Sequence, residues 1–197
     1  MRATVRWAAA NVRIWGFTDV SDEHRLLARA RRFDQDALGQ IHDEYYAPLF
    51  RYALYRTGDR DLAEDVASEV FTRLLEGLRA GTGPTTTLAG WLFGVAARVV
   101  SDHFRRAYRT PTVGLDDGLG DFDQTPSGLT MQALEREELL LAMKKLTEEQ
   151  QHVIALRFGQ GLPIEQVARM LGKTEGAIKQ LQARAVAALA RQLKSDT

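Results

Sequence analysis

The feature that most constrains the fold is a series of short helices near the end of the chain, separated by helix-breaking residues. Thr147, followed three residues later by Gln150, has the spacing of a capping box and predicts the start of a helix. Gly159 and Gly161 predict its end, because glycine tolerates the left-handed conformation found there. Pro163 then suits the first turn of the next helix, where its missing N–H costs nothing. The stretch therefore predicts a small unit of short helices joined by tight breaks.

Apolar residues at helical spacing continue this unit on both sides of a Leu-Gly-Lys-Thr turn. Two short helices joined in this way match the helix-turn-helix, whose second helix enters the major groove of DNA. An ordinary three-helix bundle with a solvated basic face is the alternative. The apolar residues are Ile164, Val167, Ala168 and Leu171 before the turn, and Ile178, Leu181, Ala185 and Leu189 after it. The turn and the outer face of the second helix offer Lys173, Lys179, Gln180 and Arg184 as candidate DNA contacts.

Composition narrows the class of protein. The chain has 197 residues, which suits one large or two small domains, and 45% of them are apolar, as in a fold with a core. It has no cysteine, and its four histidines are scattered, so we expect no disulfide, metal or cofactor. The absence of cysteine fits a reducing cytoplasm. The formal net charge is zero, so any affinity for DNA must come from charge placed locally. No apolar run reaches the roughly 18 residues of a membrane span, so we expect no membrane insertion.

The region from Asp22 to Arg109 is predicted to be helical and to carry one acidic face. Leucine and valine recur every four residues between Leu62 and Leu78. The opposite face carries acids, which the positive end of a helix dipole favours near the helix start. Plain solvation is the alternative explanation of this face, which consists of Asp61, Glu64, Asp65, Glu69 and Glu76.

A further predicted helix begins near Leu88 and ends in a cluster of basic and aromatic residues. Such a mixture suits single-stranded nucleic acid, because bases stack on aromatic rings while cations pair with phosphates. Many helices, however, simply end in arginines. The cluster comprises Arg98, His103, Arg105, Arg106, Tyr108 and Arg109.

Two segments are predicted to lie outside the folded domains. Residues 110–130 are rich in glycine, proline and aspartate and have no helical period, which predicts a flexible acidic linker. This linker would join two helical domains, 22–109 and 131–194, through a mobile joint. Residues 1–21 alternate arginine with apolar residues, and Arg13 interrupts any signal-peptide core. They are a frayed extension, the product of an early start codon, or a short amphipathic helix that docks on the rest of the chain or on a partner.

These motifs together resemble the extracytoplasmic-function sigma factors, the compact initiation subunits of bacterial RNA polymerase. The segment that resembles the family's polymerase-binding helix in region 2 is Asp61-Leu-Ala-Glu-Asp-Val-Ala-Ser-Glu-Val-Phe. The segment that resembles its promoter-melting helix is Gly90-Trp-Leu-Phe-Gly-Val-Ala-Ala-Arg-Val-Val-Ser-Asp-His-Phe-Arg-Arg. The stretch from Leu146 to Leu193 resembles region 4, which binds the −35 promoter element. The likeness covers nearly everything after Asp22 and implies an all-α fold of two small helical domains.

The resemblance also implies a role for each polar face. The polymerase-binding residues, which would dock on the clamp helices of the largest subunit, are Asp61, Glu64, Asp65, Ser68 and Glu69. The residues that would line the path of the opened −10 strand are Trp91, Arg98, Asp102, His103, Arg105 and Arg106. The residues that would face the −35 major groove are Lys173, Thr174, Lys179, Gln180, Ala183 and Arg184. Further implied partners are the flap of the second-largest subunit, promoter DNA and an anti-sigma factor, and the linker would follow the RNA exit path.

The chain departs from the family's usual pattern at four positions. Ser68 stands where the family often has Gln, and Arg98 stands where it often has Asn. In the recognition helix, Leu181 stands where a base-contacting Arg is common, and Gln182 where an apolar residue is common. This shift predicts an apolar face rotated by about one position.

Three functions fit these observations. The first is a sigma factor, a non-enzymatic cytoplasmic subunit that directs core polymerase to promoters and opens them. The second is a sigma-like decoy that binds a regulator instead of polymerase, against which the basic residues Lys179 and Arg184 argue. The third is a stand-alone helix-turn-helix regulator, which would need no acidic docking helix. The sequence contains no nucleophile–base pair, phosphate-binding loop or metal-ligand spacing, so we expect that the protein is not an enzyme.

Overall fold

The computed structural model describes residues 20–85, 87–109 and 138–195, and within these ranges the chain is helical, without β-strands. The predicted all-α fold is confirmed. The predicted linker, residues 110–130, lies outside the described residues, as does nearly all of the extension 1–21. The helices are α1 (Val20–Ala30), α2 (Gln35–Thr57), α3 (Arg60–Ala80), α4 (Leu88–Arg109), α5 (described over 138–144), α6 (Glu148–Ile154), α7 (Ile164–Leu171) and α8 (Glu175–Ser195).

Local sequence signals set most helix ends. Asp59 caps α3 by accepting a hydrogen bond from the Leu62 N–H at 3.0 Å, as the sequence predicts. Gly58, with a φ of 73°, ends α2 in the left-handed conformation that glycine adopts without strain. The predicted capping box at the start of α6 is present, with both the Thr147 and the Gln150 side chains bonded to backbone N–H groups. The caps therefore place these helix ends at positions that can be read from the local sequence.

The start of α4 is held by another helix. Glu23 of α1 accepts hydrogen bonds from the N–H groups of Leu88 and Ala89, the latter at 3.2 Å. The Thr87 hydroxyl accepts a third from Gly90 at 3.0 Å. Because the first four N–H groups of a helix have no partner within it, these three bonds complete most of the α4 N-terminus. A carboxylate at this position also suits the helix dipole.

Helices α5 to α8 form the second helical unit, with one irregular turn. After α6 the chain makes a π-helical turn over Ala155–Gly159 and then reaches Gly161, whose φ is 66°. Helix α7 ends at Gly172, which has a φ of 62°, and Thr174 begins α8 by accepting a bond from the Ala177 N–H at 3.2 Å. The helix, break, helix, turn and helix predicted from the sequence are therefore present.

The two helical units pack against each other and share one hydrophobic core. The Tyr52 ring of α2 lies edge-on to Phe93 of α4, with 5.3 Å between ring centroids, and edge-on to His152 of α6, with 5.5 Å. The same core continues from the first unit into the second, where its buried members are Val153, Ala155, Leu156, Leu162, Val167, Ala168, Met170 and Ile178. A smaller cluster of Met143, Leu146, Ile154 and Ala185 lies within the second unit.

Candidate protein and nucleic-acid interfaces

The predicted polymerase-binding residues lie together on one surface of α3. Asp61, Asp65 and Ser68 are exposed, whereas Glu64 and Glu69 are half-buried. The latter two form ion pairs along the helix, Glu64 with Arg60 at 3.2 Å and Glu69 with Arg73 at 2.8 Å. Since all four side chains remain in contact with water, such ion pairs contribute little to stability, and a partner's cations could replace the two arginines. The opposite face of α3 is fully in the core, through Ala63, Val66, Ala67, Val70 and Leu74.

Beside this acidic face lies an aromatic patch that the sequence did not predict. His42 and Tyr46 of α2 meet Phe71 of α3, with ring centroids 4.9 Å and 6.3 Å from that of Phe71. Leu75, one turn further along α3, is 42% exposed. Aromatic residues beside polar ones are typical of protein interfaces. The patch is assembled from two helices, so helical spacing within either one gives no signal of it.

Four of the six predicted −10 residues follow one line along α4. At 100° per residue, Trp91, Arg98, Asp102 and Arg105 fall within about 40° of a common line. Arg106 lies about 60° and His103 about 120° from Trp91. Arg98, His103, Arg105 and Arg106 are exposed. Trp91 is half-buried and lies about 21 Å along the axis from Arg105, so it does not join the basic cluster.

Within this basic end, Asp102 orders the arginines. Its carboxylate pairs with Arg105 at 2.6 Å, and its backbone carbonyl accepts a bond from Arg106 at 3.3 Å. Phe104 is half-buried, with the Lys144 ammonium 5.8 Å from its ring centroid. The sequence missed Phe104 as a member of the cluster because its place in the helical pattern is apolar. The result is a basic and partly aromatic helix end.

The predicted −35 residues are all exposed and are located on α8 and the turn before it. Lys173 pairs with Glu149 at 3.0 Å, and Lys179 lies 3.7 Å from Glu175. The Thr174 hydroxyl is engaged in the helix cap. Gln180, Ala183 and Arg184 continue the same exposed surface, with Ala183 between Lys179 and Arg184. An alanine at that point allows a close approach of the helix backbone to a partner.

Leu181 and Gln182, the two positions of α8 that depart from the pattern of the family it resembles, are both half-buried. Leu181 packs against the main core, as the shifted apolar pattern predicts. Gln182 is half-buried, and its side-chain oxygen accepts a bond from the Arg157 guanidinium at 3.0 Å. Arg157 also donates to the backbone carbonyl of Leu162. Helix α8 is thus held against the π-helical turn by a polar contact at Gln182, one of the positions where the sequence departs from the family that it resembles.

A buried polar cluster joins α2 to α6. The Tyr52 hydroxyl lies 2.5 Å from Nδ1 of His152, and the Arg56 guanidinium donates to that hydroxyl at 3.1 Å and to the Gln151 side-chain oxygen at 2.5 Å. Burial, reinforced by the charge of Arg56, lowers the pKa of His152 to about 3. Burial likewise raises the pKa of the Tyr52 hydroxyl. Near neutral pH the histidine is therefore neutral and accepts a bond from the tyrosine, which accepts one from the arginine.

The described residues contain no group of histidine, cysteine or acidic side chains that could hold a metal ion. Nor does any helix in the described ranges combine the length and apolarity needed to cross a membrane.

Comparison with known proteins identifies the class of protein to which this chain belongs. The family model for Sigma-70 region 2 matches residues 41–110, and that for Sigma-70 region 4 matches residues 142–191. The first match covers the acidic face and α4, and the second covers the helix-turn-helix. The order and content of the two matches are those of the sigma-70 class.

Individual relatives narrow this class. The ECF RNA polymerase sigma factor SigL of Mycobacterium tuberculosis is 34% identical over 149 residues, which cover 76% of this chain and 84% of the relative. The ECF RNA polymerase sigma factor BldN of Streptomyces coelicolor is 38% identical over 173 residues, covering 87% of this chain but only 66% of the relative's length. The chain belongs to the extracytoplasmic-function sigma factors, as the sequence resemblance predicts.

A solved structure supports the fold. CnrH, solved in complex with the cytosolic domain of CnrY, superposes with a TM-score of 0.61 at 23% identity, covering 89% of this chain and 99% of that chain.

Proposed function

We propose that the chain is a sigma factor that binds core RNA polymerase, directs it to promoters and opens the DNA around the −10 element. The proposal is carried by the exposure of three different surfaces, acidic on α3, basic on α4 and polar to basic on α8, each backed by a buried apolar face. A chain that only folds as a helical bundle needs none of them. The role is that of a binding subunit, not an enzyme, and it operates in the cytoplasm, where the polymerase is.

Polymerase docking is assigned to α3. Asp61, Asp65 and Ser68 are free to contact a partner's cations, and Glu64 and Glu69 can exchange their arginines for those of the partner. The matching partner surface is the clamp helices of the largest polymerase subunit. The adjoining patch of His42, Tyr46 and Phe71 would bury apolar area in the same contact.

DNA recognition is assigned to α4 and α8. The basic end of α4 suits the phosphates and splayed bases of the opened −10 strand, with Arg98 and Arg105 on one line of the helix. On α8, lysine and arginine side chains pair best with guanine, and Gln180 suits adenine. Region 4 would also contact the flap of the second-largest subunit, and an anti-sigma factor is the expected regulator, as family membership suggests.

The test is transcription in vitro with core polymerase over a promoter library, together with the affinity for core polymerase. Glu64→Lys/Asp65→Lys should weaken core binding at least tenfold. The fold should remain intact, because surface changes of this kind typically alter stability by no more than about 0.5 kcal/mol. A matched control, Glu138→Lys/Glu165→Lys, makes the same change of charge at exposed residues of the other unit.

Each outcome separates the candidate functions. Unchanged core affinity in the α3 double variant would contradict the docking assignment and favour a stand-alone regulator. Tight binding to a regulator without any transcript from core polymerase would favour the decoy.

A further inference from the structure

An aromatic residue with a strained backbone lies at the corner between α1 and α2. Phe33 has a φ of 56°, and within the described ranges no other residue except glycine has a positive φ. The N–H groups of Phe33 and Asp34 bond to the carbonyls of Ala30 and Arg29, at 2.9 and 3.3 Å, so Phe33 occupies the left-handed position of a Schellman motif. Glycine is usual there, and a bulky side chain is an outlier. Such outliers cluster at functional sites.

The Phe33 ring is not placed for burial, since 39% of the residue is exposed. It lies beside Arg79 of α3, whose guanidinium carbon is 5.9 Å from the ring centroid. Arg31 and Arg32 precede it in the chain and are exposed, and Arg31 donates to the Pro84 carbonyl at 2.7 Å. The corner patch is defined as Arg31, Arg32, Phe33 and Arg79.

The corner patch is positively charged and lacks a neutralising carboxylate. Among the described residues, none of its three arginines forms an ion pair. The adjoining acid, Asp34, is held by Arg29, which donates to both carboxylate oxygens at 3.0 Å. The exposed acids Asp36 and Glu76 are close in sequence but pair with none of the three arginines. The patch therefore suits a partner opposite in charge to the one that fits the acidic face of α3.

The corner patch is continuous with the start of α4. Glu23 of α1 binds the first N–H groups of α4, and Arg31, just after α1, binds Pro84 in the loop that leads to it. That loop therefore runs alongside α1 from the patch to α4. Trp91, the first of the proposed −10 residues, is in the first turn of that helix. A strand that follows α4 past Trp91 can continue across the loop to the patch.

We propose that the corner patch is a further contact for the opened promoter strand, with one base stacked on Phe33 and neighbouring phosphates paired with the arginines. An exposed ring among cations is the arrangement that binds single-stranded nucleic acid. Continuity with α4 favours DNA over an acidic protein surface. The inference rests on the proposed sigma-factor function for the identity of the strand, but binding of single-stranded DNA to the patch can be tested without polymerase.

Substitutions at position 33 separate binding from packing. Phe33→Gly should leave the urea midpoint of unfolding unchanged or higher, because glycine relieves the strained φ. It should weaken binding of the full chain to a single-stranded DNA of about 12 nucleotides at least fivefold, the lower limit for one stacked base. Phe33→Trp should restore binding, whereas Phe33→Leu, which keeps the apolar bulk without a ring, should bind as weakly as Phe33→Gly. Wild-type affinity in Phe33→Gly, or losses that follow stability across the three variants, would overturn the proposal.

The salt dependence of binding tests the arginines. Arg32→Gln should reduce the slope of log affinity against log salt by about 0.7, the share of one phosphate on a single strand. Arg51→Gln is the matched control, because Arg51 is an exposed arginine about 24 Å along α2 from Gln35. It should leave the slope unchanged. Equal changes in the two variants would mean a general loss of charge and would count against a site at the corner.

A crosslink from a single position identifies the partner in the polymerase complex. The chain has no cysteine, so Asp36→Cys introduces one thiol, three residues after Phe33, that can carry a photoreactive group. With core polymerase on a promoter whose −10 region is already opened, this group should crosslink to one DNA strand, in lower yield when Phe33→Gly is added. Crosslinks to a polymerase subunit with none to DNA would mean a protein partner and would refute the assignment.

These measurements separate the two proposals. Single-strand binding that depends on Phe33 and Arg32 supports the corner patch even where the wild-type protein fails to transcribe, a failure that would count against the sigma-factor function alone. Normal transcription, together with single-strand binding that neither substitution alters, would refute the patch and leave the sigma-factor function intact.

Discussion

Lowering the pH should destabilise the chain through His152, by an amount that the buried cluster sets. In the folded chain the pKa of His152 is about 3, whereas an exposed histidine has a pKa near 6.5. The unfolded state therefore binds the extra proton first, and stability is lost as the pH falls below 6.5 towards 3. Between pH 7.5 and 5.5 this single group removes about 1.4 kcal/mol from the free energy of unfolding.

The assay is urea unfolding of the wild type and of His152→Gln at pH 7.5, 6.5 and 5.5. Glutamine retains an oxygen that can accept the Tyr52 hydroxyl bond but does not titrate, and carboxylates that titrate in both proteins cancel in the comparison. The stability of the wild type relative to the variant should fall by about 1.4 kcal/mol over this range, since only the wild type carries the linked proton. A difference that stays constant with pH would refute the reasoning, and so would a resonance of His152 that titrates near pH 6.5 in the folded protein.

The remaining predictions concern DNA reading, capping, packing and the linker. Lys179→Ala should relax base preference at the −35 element and cost about 1–3 kcal/mol of binding free energy, whereas Arg184→Ala should weaken binding to all sequences alike and reduce the salt dependence of binding by about one phosphate contact. Both effects are measured by titrating −35 variants at several salt concentrations, and swapped behaviour would mean that α8 is rotated on the DNA. Asp59→Ala should cost about 1 kcal/mol in chemical unfolding through loss of the α3 cap, and an unchanged midpoint would contradict the capping role. Leu74→Ala, at a side chain 1% exposed, should cost about 2–5 kcal/mol in the same assay, and a smaller loss would mean that the core collapses around the site. Limited proteolysis should cut first within residues 110–130, and first cuts inside α3 would count against the predicted domain division.

Local signals in the sequence were sufficient for most of the fold. Asp59 and the Thr147 capping box mark helix starts because their side chains bond to N–H groups three residues away, so the information lies within one turn of helix. The apolar stripe of α3 likewise records which face is buried. The face opposite each apolar stripe could then be predicted to be exposed. The assignment of these exposed faces to polymerase and DNA is a prediction from family membership.

Contacts between distant residues were beyond what the sequence could supply. Tyr52 and His152 are separated by 100 positions and meet only because α2 packs on α6. A lone tyrosine and a lone histidine at apolar positions look like ordinary core residues, and no period connects them. The aromatic patch of His42, Tyr46 and Phe71 was missed for the same reason.

The cap that Glu23 places on α4 has a consequence for where region 2 begins in this protein. The family match starts at residue 41, yet the helix assigned to the −10 strand depends for its first turn on residue 23. A fragment cut to the matched boundaries would leave the N–H groups of Leu88 and Ala89 without their carboxylate. The smallest piece that keeps this cap on α4 therefore includes α1.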